Sequence, residues 1–187
     1  MPNSELDEIA EAVRVCTRCP LAATRINAVP GAGGGRILLV GEAPGRNEDE
    51  TGLPFCGAAG KNLDAGLAKA GLDRKDLFVT SIVKCRPPGN RDPTTAEKTA
   101  CRGHLEAQIA ALRPRVIVAL GRHGLSPFMP VPADFSQRTG MVVGEHGGIP
   151  VWASLHPAAI IYRQAWRERY MEDWQKFAAW YRAIGVT

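Results

Sequence analysis

The sequence predicts an α/β protein with three layers, α/β/α, in which helices cover both faces of a central four-stranded parallel sheet. Two observations predict it. Four short apolar segments rich in Val, Ile and Leu alternate with longer segments of helical periodicity, as in parallel sheets whose strands are joined by helices. The chain also shows no internal repeat and no linker, so we expect residues 1–187 to form a single domain.

The strands are predicted from apolar runs bounded by turn residues. They are expected at residues 36–41, 77–83, 115–121 and 151–155. A hairpin around 141–151 is predicted to lead into the last of them. The glycine-rich segment 28–36 precedes a strand, whereas a dinucleotide-binding loop must follow one, so we predict a flexible connector there.

Apolar residues at steps of three and four predict the helices. They are expected at 4–15 with Ser4 as the N-cap, at 61–70, from Thr94 or Thr95 to Leu112, and at about 165–183. Glu97, near the start of the third helix, is typical of a capping box. The aromatic residues of the last helix recur at helical spacing, so most are expected in the core: Trp166, Tyr170, Trp174, Phe177 and Tyr181.

The composition is that of an ordinary globular protein, with 45% apolar and 22% charged residues. No apolar run approaches the roughly 20 residues needed to span a membrane, so no membrane is expected as a partner. The N-terminus lacks the basic and apolar regions of a secretory signal, and we expect a cytoplasmic protein. The net charge of +4 permits nucleic-acid binding without requiring it.

The chain is organised around the loop from Gly41 to Gly60, between the first strand and the second helix. This loop leaves the carboxyl end of a strand, which is where open α/β sheets bind ligands. Its glycines let the backbone approach a flat ligand closely, while Glu42, Glu48 and Phe55 are placed to face that ligand. Alternatively, Glu42 stabilises the turn, Glu48 is a solvated loop residue, and Phe55 anchors the loop to the core.

His156 follows the last strand and precedes Pro157, which restricts its backbone. It is predicted at the same edge of the sheet as Glu42, so we expect it to be functional. The other histidines have no such setting and are expected to be surface or packing residues: His104, His123 and His146.

Four of the five cysteines are expected to converge. Cys16 and Cys19 are separated by two residues, and Cys85, at the end of a strand, precedes Cys101 on the following helix. Four converging thiolates fit tetrahedral zinc or an iron–sulfur cluster, and the alternative is four unrelated buried thiols. Cys56 is left over and is expected to be a small packing residue, not a nucleophile.

Four motifs, in order along the chain, resemble the type-4 uracil-DNA glycosylases. They are Gly41-Glu42-Ala43-Pro44-Gly45, Thr51-Gly52-Leu53-Pro54-Phe55-Cys56-Gly57, Val83-Lys84-Cys85-Arg86-Pro87-Pro88-Gly89-Asn90-Arg91 and His156-Pro157-Ala158-Ala159. The resemblance covers nearly the whole chain and implies a uracil-DNA glycosylase-like fold. It implies a DNA repair enzyme that flips deoxyuridine out of the stack, hydrolyses its N-glycosidic bond and leaves an abasic site. The four cysteines match, in order and approximate spacing, the ligands of that family's [4Fe-4S] cluster.

The resemblance also implies roles for the site residues. Phe55 would stack on the base, and His156 would donate a hydrogen bond to O2 as uracil leaves as an anion. Glu42 would position the attacking water and offset positive charge on the sugar, while Glu48 would lie near the edge of the base that carries a methyl group in thymine. The residues implied to bind the base are Gly41, Glu42, Ala43, Pro44, Phe55, Ser81 and His156.

The implied partner is uracil-containing DNA, and we expect the protein to act as a monomer. Tyr162 and Arg163 lie where the family has its minor-groove wedge, which would fill the hole left by the flipped base. A basic loop after the second strand would meet DNA phosphates through Lys84, Arg86 and Arg91.

Ser81 stands where the family has an asparagine that reads O4 and N3–H of uracil, and one hydroxyl cannot make the same pair of hydrogen bonds. Two alternatives therefore stay open. One is a glycosylase for another deaminated base, such as hypoxanthine or xanthine, and the other is an iron–sulfur protein that binds damaged DNA with little catalysis. A related branch binds uracil-DNA covalently through a histidine, but residues 85–93 contain none, so we expect turnover without a stable covalent bond.

Overall fold

Six strands form the sheet: β1 (Ala32–Gly33), β2 (Ile37–Gly41), β3 (Leu77–Ser81), β4 (Val116–Leu120), β5 (Met141–His146) and β6 (Ile149–Ser154). The computed structural model describes residues 4–185 and places the strands in the order β1-β3-β2-β4-β6-β5. The four central strands β3, β2, β4 and β6 are parallel, which confirms the predicted four-stranded parallel sheet. The edge strands β1 and β5 run antiparallel to their neighbours.

The predictions for the two edge strands had different outcomes. The predicted hairpin is confirmed as β5 and β6, with its turn at residues 147–148. The prediction of a flexible connector over 28–36 is wrong at β1, which pairs with β3. Glycine allows this close approach, since a Cβ on Gly33 would lie 1.9 Å from the carbonyl oxygen of Leu77.

Seven α-helices among residues 4–185 surround the sheet: α1 (Ser4–Arg14), α2 (Arg46–Thr51), α3 (Ala58–Ala70), α4 (Thr95–Leu112), α5 (Gly121–Leu125), α6 (Ala159–Tyr162) and α7 (Arg167–Ala183). Helix α1 begins at Ser4, whose side chain lies outside the described residues, so its capping role stays a prediction. The capping box of α4 is confirmed, because Thr94 Oγ1 accepts from Glu97 N at 3.2 Å and Glu97 Oε2 accepts from Thr94 N at 2.8 Å. None of these helices is both long and apolar enough to cross a bilayer.

The helices form two layers because side chains of each central strand alternate between the faces of the sheet. Leu38 and Val40 of β2 pack in one hydrophobic cluster with residues of α1 and α4. Ile37 and Leu39 pack in the other with residues of α3 and α7, so the three-layer arrangement is confirmed. Most aromatic residues of α7 and of the turn before it were predicted in the core. Three of them are buried, Tyr170, Trp174 and Phe177, and two are partly buried and pack around these, Trp166 and Tyr181.

The loop between β2 and α3 was predicted without regular structure, but it contains the helix α2. Helical periodicity does not reveal α2, because Arg46–Thr51 is short and polar throughout. Gly52 ends the helix with φ +74°, a conformation that glycine adopts without strain. Only two short segments of the loop, 42–45 and 52–57, therefore lie outside helices, and they face the carboxyl edge of the sheet.

Candidate active site and cysteine cluster

A cavity of about 390 Å³ opens at the carboxyl edge of the parallel strands, at the ends of β2, β3 and β6. Its volume is that of a site for a small molecule or a single base. Nine of the predicted site residues line it: Glu42, Ala43, Pro44, Glu48, Phe55, Ser81, Arg91, His156 and Tyr162. Gly41 lies beneath, where a Cβ would be 2.7 Å from Cζ of Phe55 and 3.3 Å from Oγ of Ser81.

His156 presents a defined hydrogen-bond donor to this cavity. The backbone amide of Ala158 donates to His156 Nδ1 at 3.1 Å, so the proton of a neutral ring lies on Nε2. Burial lowers the pKa of His156 to about 4, so the ring is neutral near pH 7. Asn62 holds the following turn, because its Nδ2 donates to the carbonyl oxygen of Pro157 at 3.0 Å.

Phe55 is buried and lies beside His156, with ring centroids 5.8 Å apart and planes 37° apart. Its backbone has φ +50°, which is uncommon for a residue other than glycine. The strain is held by Arg74, whose guanidinium donates to the carbonyl oxygens of Pro54 and Phe55. A strained residue held by its surroundings is typical of a functional site.

Glu48 reaches the cavity from α2, but its carboxylate is also bound to the loop backbone. It accepts hydrogen bonds from the amides of Gly45 at 3.1 Å and of Cys56 and Gly57 at 3.0 Å. These three bonds fix the loop on both sides of Phe55. Glu48 is therefore in place to position Phe55 as well as to contact a ligand.

Glu42 lies at the end of β2 beside two residues that the sequence did not associate with it. His123 Nε2 is 3.9 Å from Glu42 Oε1 and 3.4 Å from Asp92 Oδ2. Burial raises the pKa of Glu42, His123 opposes this shift, and the carboxylate of Asp92 adds to it. His123 was predicted to be a surface or packing residue, but it follows β4 at the same sheet edge, and that position is the signal that could have identified it.

The four predicted cysteines gather around a second cavity, between α1, the segment after β3 and α4. Arg25 Nη1 donates to Cys85 Sγ at 3.2 Å and to the carbonyl oxygen of Cys16 at 2.8 Å. The amide of Lys84 donates to Cys101 Sγ at 3.3 Å. Cys19 also lines the cavity, and all four thiols are free of disulfides.

The surroundings of this cavity fit thiolates that hold a cationic group. Arg18 and Arg25 lie beside the cysteines, and His104 Nε2 is 2.9 Å from Arg18 Nη2. Burial lowers the pKa of His104 to about 4, so it is a neutral packing residue, as predicted. Within residues 4–185, no three of the cysteine sulfurs lie within 4.8 Å of one another, whereas sulfurs around tetrahedral zinc at 2.3 Å would be about 3.8 Å apart.

Comparison with known proteins identifies the family of this chain. The family model described as the uracil DNA glycosylase superfamily matches residues 31–180. A type-4 uracil-DNA glycosylase of Archaeoglobus fulgidus is 44% identical over 91% of this chain and 90% of its own length. One of Thermotoga maritima is 40% identical over 98% of both chains. This chain belongs to the uracil-DNA glycosylase superfamily, in its type-4 branch.

The likeness to another branch is weaker. A type-5 uracil-DNA glycosylase of Pyrobaculum aerophilum is 33% identical over 67% of this chain and 62% of its own length. The type-4 relative of Thermotoga maritima matches 98% of the chain, so its match includes the segment with Cys16 and Cys19 that lies before the residues matched by the family model.

One of the DNA contacts predicted for this member of the type-4 branch is wrong. Lys84 is only 1% exposed, so its ammonium group does not reach a phosphate. Its Nζ instead donates to Thr80 Oγ1 at 2.6 Å, Ser81 O at 2.7 Å and Gln108 Oε1 at 2.7 Å. Lys84 therefore supports the end of β3, directly below the cavity.

The other predicted DNA contacts remain accessible. Arg86 Nε donates to Asn90 Oδ1 at 2.7 Å, and Arg91 makes a bidentate pair with Glu97, whose pKa it lowers to about 2. Tyr162 is 86% exposed at the rim of the cavity. The guanidinium of Arg163 lies 4.5 Å from the ring centroid of Trp166, so Tyr162 is the freer of the two candidate wedge residues.

Proposed function

We propose that this protein is a DNA repair enzyme that hydrolyses the N-glycosidic bond of deoxyuridine in DNA and leaves an abasic site. One observation carries the proposal: a neutral His156, with its donor Nε2 fixed by the Ala158 amide, shares a base-sized cavity with Phe55. Family membership supports it, because the related proteins are named uracil-DNA glycosylases.

The departing base needs hydrogen-bond donors, since negative charge develops on its oxygen as the bond to the sugar breaks. In the proposed complex Phe55 stacks on the flipped uracil and His156 Nε2–H donates to O2. A neutral imidazole serves this purpose, because it donates without transferring a proton. Both side chains are held in place before substrate arrives, by Arg74 and by the amide of Ala158.

The sugar needs negative charge and a water molecule on its other face. We propose that ionised Glu42 accepts a hydrogen bond from this water and offsets the positive charge that develops on the sugar. Water oxygen then bonds to C1′, its proton passes to solvent or to the departing base, and uracil leaves with the bonding electrons. Glu48 positions the loop and, through its place on the cavity wall, narrows the space beside the base.

We propose that Cys16, Cys19, Cys85 and Cys101 hold a [4Fe-4S] cluster. The N–H groups of Arg25 and Lys84 that point at Cys85 Sγ and Cys101 Sγ, together with membership of the type-4 branch, support this proposal. When bound, the cluster would join α1 to the segment after β3 and to α4. The thiolates would keep the loop 85–93 at the rim of the cavity.

We propose that DNA reaches the cavity across Arg86, Arg91 and Tyr162, with Tyr162 as the wedge. We further propose that residues 1–187 act as one domain and as a monomer. The proposed compartment is the cytoplasm, where thiols that bind a cluster stay reduced.

The test is base release from oligonucleotides that contain one uracil, hypoxanthine, xanthine or unmodified cytosine. We expect release of uracil alone, strong loss in His156→Ala, and equal or faster release in Ser81→Asn, since an amide can read both O4 and N3–H. Release of hypoxanthine or xanthine but not uracil would contradict the proposed substrate. Tight binding of uracil-DNA with no abasic product would contradict the proposed catalysis.

A further inference from the structure

Three ionisable side chains from three separate elements meet at the end of β2. The ligand atoms of Glu42, Asp92 and His123 all lie within 4.8 Å of one another. Glu42 comes from the end of β2, Asp92 from the loop before α4, and His123 from α5. The two carboxylates face the same imidazole nitrogen, Nε2 of His123, at 3.9 Å and 3.4 Å.

Exposure differs among the three groups and determines how strongly each acts. Glu42 is 26% exposed and faces the cavity, whereas the Asp92 side chain is 77% exposed to solvent. A carboxylate next to a second carboxylate retains its proton more readily, and a nearby imidazolium has the opposite effect. His123 therefore lies where it offsets the repulsion between Glu42 and Asp92.

The other charged groups near Glu42 do not replace this pair. Lys98 of α4 also favours the ionised form of Glu42, with a weaker effect than those of His123 and Asp92. Arg91 is paired with Glu97, and the Glu48 carboxylate is bound by loop amides. His156, another titratable group of the cavity, is neutral near pH 7. The charge of Glu42 thus depends chiefly on burial and on its two neighbours.

We propose that His123 and Asp92 are positioning residues that act with opposite sign on the charge of Glu42, so that together they set the lower pH limit of base release. The inference rests on the proposed function, in which ionised Glu42 orients the attacking water. Neither residue needs to touch the substrate for this effect. His123 also contributes to the lowered pKa of His156, but that ring stays neutral near pH 7, so the influence on base release passes through the carboxylate of Glu42.

The consequences of substitution follow from the geometry. In His123→Gln the two carboxylates face each other without the histidine that opposes the raised pKa of Glu42, so Glu42 stays protonated to a higher pH. In Asp92→Asn the repulsion disappears while His123 and Lys98 remain, so Glu42 ionises at a lower pH. We expect shifts of about one pH unit upward for His123→Gln and about half a unit downward for Asp92→Asn, the smaller value because Asp92 is exposed.

The experiment measures single-turnover uracil release from pH 5 to 9 for the native protein, both single variants and the double variant. His146→Gln is the matched control, because His146 Nε2 also lies 3.4 Å from a carboxylate, that of Glu106, but outside the cavity. We expect the acid limb of the profile to move in opposite directions in the single variants. The double variant should lie between the two single variants, about half a pH unit above the native profile, and the control should stay near the native profile.

Shifts in the same direction, or no shift beyond that of His146→Gln, would overturn the inference. A second measurement separates it from the proposed function: NMR titration of the ¹³C-labelled Glu42 carboxyl group in the same variants. Opposite shifts in this titration without uracil release at any pH would uphold the coupling and reject the glycosylase. Uracil release with an unshifted Glu42 titration would uphold the glycosylase and reject the coupling.

Discussion

Arg74 Nη2 donates a hydrogen bond to the carbonyl oxygen of Phe55 at 2.7 Å, and so holds the cavity loop from its outer side. Nη1 of the same guanidinium donates to the carbonyl oxygen of Pro54 at 3.1 Å, and Nε pairs with Asp64 Oδ1 at 2.7 Å. Gly60 lies against the same oxygen, where a Cβ would be 1.8 Å away. The positive φ of Phe55 is thus fixed by a cation and by a close backbone contact.

The first prediction concerns Arg74→Gln, which removes the two charge-assisted hydrogen bonds to the loop. We expect the free energy of unfolding to fall by about 1.5–3 kcal/mol, measured by urea denaturation. We expect kcat/KM for uracil release to fall roughly 10- to 100-fold, because Phe55 loses its fixed position. Asp64→Asn is the control, since it removes the salt bridge but leaves the bonds to Pro54 and Phe55. Equal losses in both variants would show that the salt bridge, not the loop contact, matters.

The second prediction concerns Gly60→Ala, whose new methyl group would overlap the carbonyl oxygen of Phe55. The loop must move, so we expect a loss of about 1–3 kcal/mol in the free energy of unfolding together with reduced uracil release. Gly34→Ala is the matched control, because no atom lies within 4 Å of its added Cβ. Thermal unfolding and single-turnover assays of both variants measure the effect. A fully active and equally stable Gly60→Ala protein would contradict the contact.

The third prediction separates buried and exposed cations after β3. Lys84→Met removes the buried ammonium group that donates to Ser81 O and Gln108 Oε1, so it should lower stability with little effect on the salt dependence of DNA binding. Arg86→Ala should leave stability nearly unchanged and reduce the slope of log K against log[salt] by about 1. Denaturation and DNA titrations at several salt concentrations measure both quantities. A reduced slope in Lys84→Met would contradict its burial.

These cations also show what the sequence can predict. Glu42 and His156 were expected at one edge because each follows an apolar run, and the carboxyl ends of parallel strands share one edge, whereas Ser81 was assigned to the site through the family resemblance. All three line the cavity. Lys84 lies in the same position after β3, yet its side chain turns inward to three acceptors. The sequence shows that a lysine follows the strand but not which way its side chain turns.

Contacts between segments that are distant in the sequence likewise could not be predicted from it. Arg74 lies in an unremarkable polar segment, and its role depends on the close approach of Phe55 and Gly60. His123 has an electrostatic role only because Asp92 and Glu42, which come from other elements, lie beside it. The sequence pattern thus predicts residues that follow strands, whereas the groups that hold them require the tertiary structure.

The fourth prediction concerns the proton on His156. The amide of Ala158 occupies Nδ1, so Nε2 must carry the proton that faces the base. The pKa of the ring is lowered from its ordinary value of 6.5 to about 4, so the ring is neutral and unchanged as a donor from pH 9 down to about pH 5. Any loss of activity between pH 7 and 5 therefore comes from another group, and we assign it to Glu42. In His156→Ala the developing charge on O2 has no donor, and we expect uracil release to fall about 10²- to 10³-fold at every pH in this range.

The same substitution has a consequence for protein stability, and its sign follows from the direction of the shift. A histidine whose pKa is lowered by folding stabilises the native state above its unfolded pKa, and this contribution is lost as the pH falls from 6.5 towards 4. Native protein should therefore lose more stability between pH 7 and pH 4.5 than His156→Ala does, as measured by urea denaturation at both values. His146→Gln serves as the control for removal of a histidine outside the cavity. An acid-induced loss in His156→Ala as large as in the native protein would mean that His156 is not neutral in the folded state, and its assignment as a fixed neutral donor would be wrong.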